Sequence, residues 1–247
     1  MIRRARFDQF SASYEELLRD PIREHFTGKE SGYFHLRKRD LICDHFRRRG
    51  IDTAGLSYLD VGCGKGELLQ LLSPSFTRCA GCDLSAEMMH PMPGIETRLQ
   101  QDASKIPLPD CSADFITAVC VYHHVAVEAR PALSLEIFRV LKPGGTFAII
   151  EHNPWNPITR LIVSRTPVDE GAILLPRRET RELMRGAGLA IREEQYFLFL
   201  PEKIYRRVGG LESWLRRVPA GGQYAVFGVK PLGGALAEIS GKNASAA

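Results

Sequence analysis

The chain has 247 residues, of which 44% are hydrophobic, and this length and composition are typical of one globular domain with a buried core. Its net charge of +4 comes from basic residues scattered in pairs and triplets, which does not indicate a nucleic-acid-binding surface. No run of about eighteen apolar residues exists, and no apolar stretch follows the basic start "MIRRARFDQF". We therefore expect a cytoplasmic protein without a membrane segment.

The first fifty residues have a helical pattern. Apolar residues recur at near-helical spacing through "ASYEELLRDPIREHF" and "YFHLRKRDLICDHFRRRG", and the second segment ends at a glycine. We expect residues 1–50 to form an N-terminal helical lid ahead of the first strand.

From residue 57, predicted strands and helices alternate. The first five strands are "SYLDVG", "TRCAGCD", "IETRLQQD", "FITAVCVY" and "GTFAIIEH", with helices in "GELLQLL", "SAEMMH" and "RPALSLEIFRVL". Ser85 would cap the second of these helices. Two further strands are predicted in "AIREEQYFLFL" and "GGQYAVFGVK". This order predicts a doubly wound α/β fold, in which a seven-stranded, mostly parallel sheet carries helices on both faces.

Residues 153–176 carry four prolines between the fifth strand and the helix in "RRETRELMRGAGL". An insertion of this kind over the end of a sheet is typical of a substrate lid. We expect one domain over residues 51–232 that includes this lid. The small, polar segment 233–247 is predicted to be a disordered tail.

Cysteine spacing raises the question of a metal. Cys79 and Cys82 in "CAGC" have the two-residue gap of a metal site, but no second pair and no matching histidine pair follow. We therefore predict buried free thiols in a reducing compartment and no metal site.

The stretch "YLDVGCGKGELLQLL", residues 58–72, joins the first strand to a helix through three glycines. Ligands of open parallel sheets bind beyond the carboxyl ends of the strands, where glycines let a ligand approach the backbone. The spacing matches neither the phosphate loop G-x-x-x-x-G-K-[ST] nor the dinucleotide loop G-x-G-x-x-G. With Asp60 before the glycines and Glu67 after them, a pyrophosphate would fit poorly. An adenosine that carries an amino acid and a sulfonium would fit well.

Two further acids support a nucleoside site. Asp83 ends the second predicted strand in "GCDLS", where a carboxylate can accept both hydroxyls of a ribose. Asp102 ends the third in "QQDAS", where it could accept the exocyclic amine of an adenine. Acidic residues often follow a strand because they cap the next helix. Three of them at successive strand ends, however, indicate a ligand.

These segments, together with "QDASKIPLPDCSADFITAVCVYHHV" and "RVLKPGGTFAIIEHNPWNP", resemble the successive motifs of class I S-adenosylmethionine-dependent methyltransferases, in the branch similar to quinone-biosynthesis and small-molecule enzymes. The resemblance covers residues 8–152 well. It implies a Rossmann-like fold, with S-adenosyl-L-methionine as cofactor and S-adenosyl-L-homocysteine as product. It is nearly silent about the methyl acceptor.

The resemblance also implies the cofactor contacts. Asp60 would lie near the amino group, Asp83 would hold the ribose, and Lys38 would reach the methionine carboxylate. The other implied contacts are the lid residues Tyr14 and Tyr33, the loop residues Gly62, Cys63 and Gly64, the adenine neighbours Leu84, Met88, Asp102 and Ala103, and the backbone of Cys120.

Methyl transfer from a sulfonium mainly needs nucleophile, methyl group and sulfur held in line in a dry pocket. A protein base helps only when the nucleophile carries a proton that must leave. His123 and His124 follow the fourth strand and His152 ends the fifth, so these three are the candidate catalytic residues. Each could instead pack or hydrogen-bond structurally.

The leading prediction is a methyltransferase, monomeric or homodimeric, that acts on an oxygen or nitrogen of a small cyclic or secondary-metabolite acceptor. An RNA-modifying methyltransferase stays open as an alternative, although the N-P-P-[YF] signature of base-amine methylation is absent at "VYHH". A cofactor-binding module without catalysis also stays open. That reading predicts that the three histidines face the core.

Overall fold

The computed structural model describes residues 6–27 and 32–232. Seven strands form one sheet in the order β3-β2-β1-β4-β5-β7-β6. The strands are β1 (Ser57–Val61), β2 (Arg78–Asp83), β3 (Glu96–Leu99), β4 (Ala113–Val119), β5 (Leu141–His152), β6 (Ala190–Phe197) and β7 (Gln223–Val229). The first five pair in parallel, and β7 is antiparallel to both β5 and β6. The predicted seven-stranded, mostly parallel sheet is confirmed.

Helices cover both faces of the sheet, as predicted. They are α1 (Tyr14–Leu17), α2 (Pro21–Thr27), α3 (Gly32–Arg48), α4 (Glu67–Leu72), α5 (Arg130–Val140), α6 (Pro157–Arg165), α7 (Arg177–Gly186), α8 (Glu202–Val208) and α9 (Glu212–Leu215). Side chains of α3 and α4 share one buried cluster with strand residues, while those of α5 and α7 belong to a second.

The two clusters follow from the period of a β-strand, in which successive side chains point to opposite faces. Tyr58 on β1 and Phe115 on β4 stack with ring centroids 5.3 Å apart in the cluster that contains α3 and α4. Their chain neighbours Leu59 and Ile116 point to the other face, toward α5. Because both faces are covered, apolar residues of the central strands point to both faces.

The chain between β2 and β4 differs from the prediction. The segment "SAEMMH" forms turns rather than a helix, and the Ser85 hydroxyl accepts a hydrogen bond from the Met88 N–H at 3.2 Å. Strand β3 ends at Leu99, three residues before Asp102. In place of a strand end, Asp102 forms a turn in which its carboxylate accepts the Ser104 N–H at 2.7 Å.

Segment 198–222 contains α8 and α9, which the sequence pattern did not predict. No helix within residues 6–27 and 32–232 is long and apolar enough to cross a membrane. The predicted tail at 233–247 lies outside the described residues.

Strand order reverses at β1, because the chain leaves it toward β2 and β3 and then returns to add β4 on its other side. Open α/β sheets bind ligands in the crevice that such a reversal leaves at the carboxyl ends of the strands. We therefore expect the ligand site at the carboxyl ends of β1, β2, β4 and β5.

Candidate active site

A cavity of about 860 Å³ occupies this crevice. It is within the size range of small-molecule sites, roughly 300–1,000 Å³. It is lined by the glycine loop after β1, the turn after β2, the turn after β4 and the end of β5. Side chains of α1, α3 and α6 also line it.

The glycine loop has a backbone conformation that residues other than glycine rarely adopt. Gly62 and Gly64 have φ angles of 72° and 52°, in the left-handed region. A Cβ on Gly62 would lie 2.4 Å from Cγ2 of Val121, so the loop packs closely against the turn after β4. A Cβ on Gly64 would meet only the Met88 methyl group within 4 Å, at 3.8 Å. Gly64 therefore presents bare backbone to the cavity.

Two carboxylates stand beside this loop. Asp83, at the end of β2, accepts the Gly64 N–H and the Ser85 N–H, both at 2.8 Å. Burial raises its pKa, and these hydrogen bonds oppose the rise. Asp60, on β1, accepts the Thr117 hydroxyl at 2.5 Å, and burial raises its pKa to about 7.

A cation and a thiol lie near the end of β4. Lys38 reaches from α3 to within 3.9 Å of the Cys120 sulfur, and the Gln223 amide lies 3.6 Å from the same sulfur. Burial alone would raise the pKa of Cys120, but the interactions of its sulfur with Lys38 and His152 outweigh burial and lower that pKa to about 7. The Gln223 Oε1 is buried without a hydrogen-bond partner, so this part of the cavity has an unused acceptor.

His123 is held by a carboxylate from the neighbouring strand. Its Nδ1 lies 2.5 Å from Oε2 of Glu151, and Oε1 of Glu151 accepts the Tyr122 N–H at 2.8 Å. His123 and Glu151 are both buried. Burial opposes charge on the imidazole, but Glu151 and Asp169 outweigh it and raise the pKa of His123 to about 10. The ring therefore has one orientation, with Nε2 pointing away from Glu151.

The second histidine and an acid complete this group. His123 Nε2 and His124 Nε2 lie 3.6 and 3.5 Å from the same oxygen, Oδ1 of Asp169. Asp169 comes from the short 3₁₀ turn that follows α6, within the proline-rich segment. The Ile173 N–H donates to the His123 carbonyl at 2.9 Å and so attaches this segment to the turn after β4.

Most of the predicted site residues meet in the cavity. Those that line it are Tyr14, Lys38, Asp60, Gly62, Cys63, Gly64, Asp83, Leu84, Met88, Ala103, Cys120, His123, His124 and His152.

Two predicted cofactor contacts lie elsewhere. Tyr33 is buried in the core, and its hydroxyl donates to the Leu200 carbonyl at 3.1 Å, so it is not a lid residue over the cavity. Asp102 is exposed in its turn with Ser104 and does not line the cavity. The reason is that β3 ends early, which leaves Gln100, Gln101 and Ala103 to line that part of the wall.

Sequence reasoning missed Asp169 and Gln223. Asp169 stands in "TPVDEGA", where it has no distinguishing spacing to other candidate site residues. Gln223 is the first residue of β7 and pairs with His152 on β5. Only the antiparallel addition of β7 brings its amide to the cavity.

The residues present fit S-adenosylmethionine. Asp83 offers carboxylate oxygens for a vicinal diol, and the bare backbone at Gly64 allows close approach. Asp60 is an acceptor suited to an ammonium, and Lys38 is a cation suited to a carboxylate. The unpaired Gln223 Oε1 marks a further place where a ligand donor would be satisfied.

Comparison with known proteins agrees with this geometry. Residues 59–149 match the family model described as a methyltransferase domain. The uncharacterized methyltransferase YcgJ of Bacillus subtilis is 36% identical over 109 residues, which cover 40% of this chain and 42% of that protein. The demethylmenaquinone methyltransferase of Symbiobacterium thermophilum is 32% identical over 130 residues, 48% of each chain. The chain thus spans less than half the length of either relative.

Solved structures support the fold. A Thermotoga maritima protein described as a SAM-dependent methyltransferase, possibly a histamine N-methyltransferase, superposes with a TM-score of 0.63 at 17% identity. The superposition covers 91% of this chain and 97% of that one. The segment matched by the family model supplies most of β1 to β5 and the glycine loop, and these comparisons support a class I S-adenosylmethionine-dependent methyltransferase domain over residues 59–149, with S-adenosylmethionine as its cofactor.

Proposed function

We propose that this chain is an enzyme that transfers a methyl group from S-adenosylmethionine to an oxygen or nitrogen of a small-molecule acceptor. The observation that carries the proposal is one cavity with two chemically different sides. Asp83 and the glycine loop form one side, and His123, His124 and His152 stand on the other. Such a division suits one site that holds the methyl donor and the methyl acceptor together.

The cofactor, when bound, supplies a methyl group on a positively charged sulfur. Asp83 would orient the ribose through its carboxylate, and Asp60 and Lys38 would hold the charged ends of the amino acid. Leu84, Met88 and Ala103 would flank the adenine. These contacts act by positioning, which for an already activated methyl group can supply much of the rate acceleration.

The acceptor side is closed by the segment we propose as a lid. Ile158, Ile162 and Val163 of α6 line the cavity, and the ring edge of Phe7 packs on His124 with centroids 4.9 Å apart. Apolar side chains at these places would exclude water from the methyl group. A site closed by elements from both the N-terminal helices and residues 153–176 supports a small acceptor, such as a cyclic or secondary metabolite.

The alternative functions receive less support. Several basic residues that an RNA surface would need form ion pairs, with Arg48 on Glu193, Arg178 on Glu182 and Arg206 on Glu202. A module without catalysis predicts histidines that face the core, whereas all three histidines line the cavity. The predicted cytoplasmic location and the monomeric or homodimeric state remain part of the proposal.

Calorimetric titration with S-adenosylmethionine and S-adenosylhomocysteine tests the cofactor site. We expect Asp83→Asn to weaken binding at least about tenfold, because the charge-assisted hydrogen bonds to the ribose are lost. Asp102→Asn is the matched control, since this carboxylate lies outside the cavity, and it should change affinity less than about twofold. Equal losses in the two variants would contradict the assignment.

Turnover tests the remainder of the proposal. The wild-type chain is incubated with S-adenosylmethionine and panels of small aromatic and sugar-derived acceptors, and release of S-adenosylhomocysteine is measured. Transfer to a panel member that Asp83→Asn slows would support the proposed function. Cofactor binding without transfer to any acceptor, or transfer to RNA only, would favour one of the alternatives.

A further inference from the structure

We propose that His123, His124 and Asp169 form a binding site for a divalent transition-metal ion of the zinc type. The three side chains offer ligand atoms that all lie within 4.8 Å of one another. Two imidazoles and one carboxylate are a donor set that proteins use for Zn²⁺ and its first-row neighbours. The "CAGC" segment plays no part in this site, because Cys79 and Cys82 belong to β2.

The distances favour an ion over direct hydrogen bonds. The Nε2 atoms of His123 and His124 lie 3.6 and 3.5 Å from Oδ1 of Asp169, beyond the range of a hydrogen bond, about 2.7–3.2 Å. Nitrogen and oxygen ligands about 2.1 Å from a tetrahedral ion are roughly 3.4 Å apart. Both nitrogen–oxygen separations are close to this spacing, so an ion fits between the three ligands.

His123 has the supporting contacts of a metal ligand. Its Nδ1 is paired with Glu151, which leaves Nε2 as the atom directed at Asp169. This Nε2 is buried, in a residue only 2% exposed, and has no hydrogen-bond partner among residues 6–27 and 32–232. A carboxylate on the far nitrogen of a histidine is the usual way in which proteins orient a metal-binding imidazole.

The surrounding structure fixes the three ligands relative to one another. His123 and His124 are consecutive in the 3₁₀ turn after β4, and Asp169 is tied to that turn by the Ile173 N–H bond to the His123 carbonyl. The buried Arg130 strengthens this tie, because it donates to the Tyr122 and Ile173 carbonyls at 3.1 and 2.7 Å. A preformed site of this kind does not need the chain to rearrange on binding.

The ion would bind the methyl acceptor, an inference that rests on the proposed function. All three ligands line the cavity that the glycine loop also lines. Three protein ligands leave at least one coordination position open, as in catalytic zinc sites. An ion here would select acceptors that offer an oxygen or nitrogen lone pair, and hydroxyl-bearing acceptors above all.

Metal binding is tested on the full chain after removal of metals by dialysis against a chelator. Zn²⁺ is titrated by calorimetry, and Co²⁺ by its visible d–d absorption, which reports coordination geometry. We expect one ion per chain with a Kd of about 1 μM or tighter, without the near-ultraviolet charge-transfer band of cobalt–thiolate bonds. Asp169→Asn and His124→Gln should each weaken binding by about 100-fold.

The exposed His90, on the segment after β2, supplies the matched control, and His90→Gln should bind both ions as the wild type does. Circular dichroism and S-adenosylmethionine titration on the same samples show whether each variant is folded. No Zn²⁺ binding to the wild type at about 100 μM ion, or equal binding by Asp169→Asn, would overturn the proposal. Cofactor binding without metal binding would remove only this inference, and metal binding without cofactor binding would instead contradict the proposed function.

Discussion

Replacing Arg130 by methionine is expected to lower the free energy of unfolding by about 3 kcal/mol. Arg130 is 1% exposed, and its Nε donates to the Tyr122 and Val125 carbonyls at 3.1 and 3.2 Å. Its guanidinium also donates to the Ile173 carbonyl and to Glu179, each at 2.7 Å. Methionine fills similar volume but removes the Arg130 donors from the Val125 and Ile173 carbonyls, while the Tyr122 carbonyl keeps the Val125 N–H. An unsatisfied buried acceptor costs about 1–3 kcal/mol.

Chemical denaturation monitored by circular dichroism measures this loss. Arg178→Met is the matched control, because Arg178 forms an exposed i,i+4 pair with Glu182, and we expect a change below about 0.5 kcal/mol. S-adenosylmethionine binding by folded Arg130→Met should stay within about threefold of wild type, since Arg130 does not line the cavity. A loss no larger than that of the control would show that Arg130 does not hold the turn after β4.

Replacing Asp60 by asparagine is expected to stabilise the protein at neutral and alkaline pH. Burial raises the pKa of Asp60 to about 7, above its ordinary value of 3.8. The folded state thus binds this proton more tightly than the unfolded state, so the stability associated with it is complete below pH 3.8 and is lost as pH rises toward 7. Asparagine cannot ionise. Its advantage over the wild type should therefore grow by about 4 kcal/mol between pH 4 and pH 8 and then level off.

Unfolding curves for wild type and Asp60→Asn at several pH values measure this difference. Asp102→Asn is an informative control, because hydrogen bonds from Ser104 lower the pKa of Asp102 and its pH effect should have the opposite sign. At pH 8 the Asp60→Asn variant should also bind S-adenosylmethionine more weakly, since a neutral amide replaces the acceptor proposed for the ammonium. A pH-independent difference between Asp60→Asn and wild type would contradict the buried, protonatable carboxyl.

Much of the sheet and of the cofactor side could be predicted from the sequence because both depend on local patterns. Apolar runs of strand length separated by helical segments specify a parallel sheet, and the spacing from Asp60 through the glycines to Asp83 places these groups at two adjacent strand ends. The same logic failed for Asp102. A strand end read from composition can be wrong by a few residues, and β3 stops at Leu99 because the Asp102 turn competes with the strand.

The sequence by itself thus determined the fold class, the cofactor family and the glycine-loop side of the cavity. Only the tertiary structure decided the composition of the opposite side. Glu151 meets His123 because β5 pairs with β4, Gln223 arrives through the antiparallel β7, and Asp169 is placed by a loop attached to the turn after β4. Contacts of this kind join residues far apart in the chain. They depend on strand register and loop packing, which no local spacing of residue types encodes.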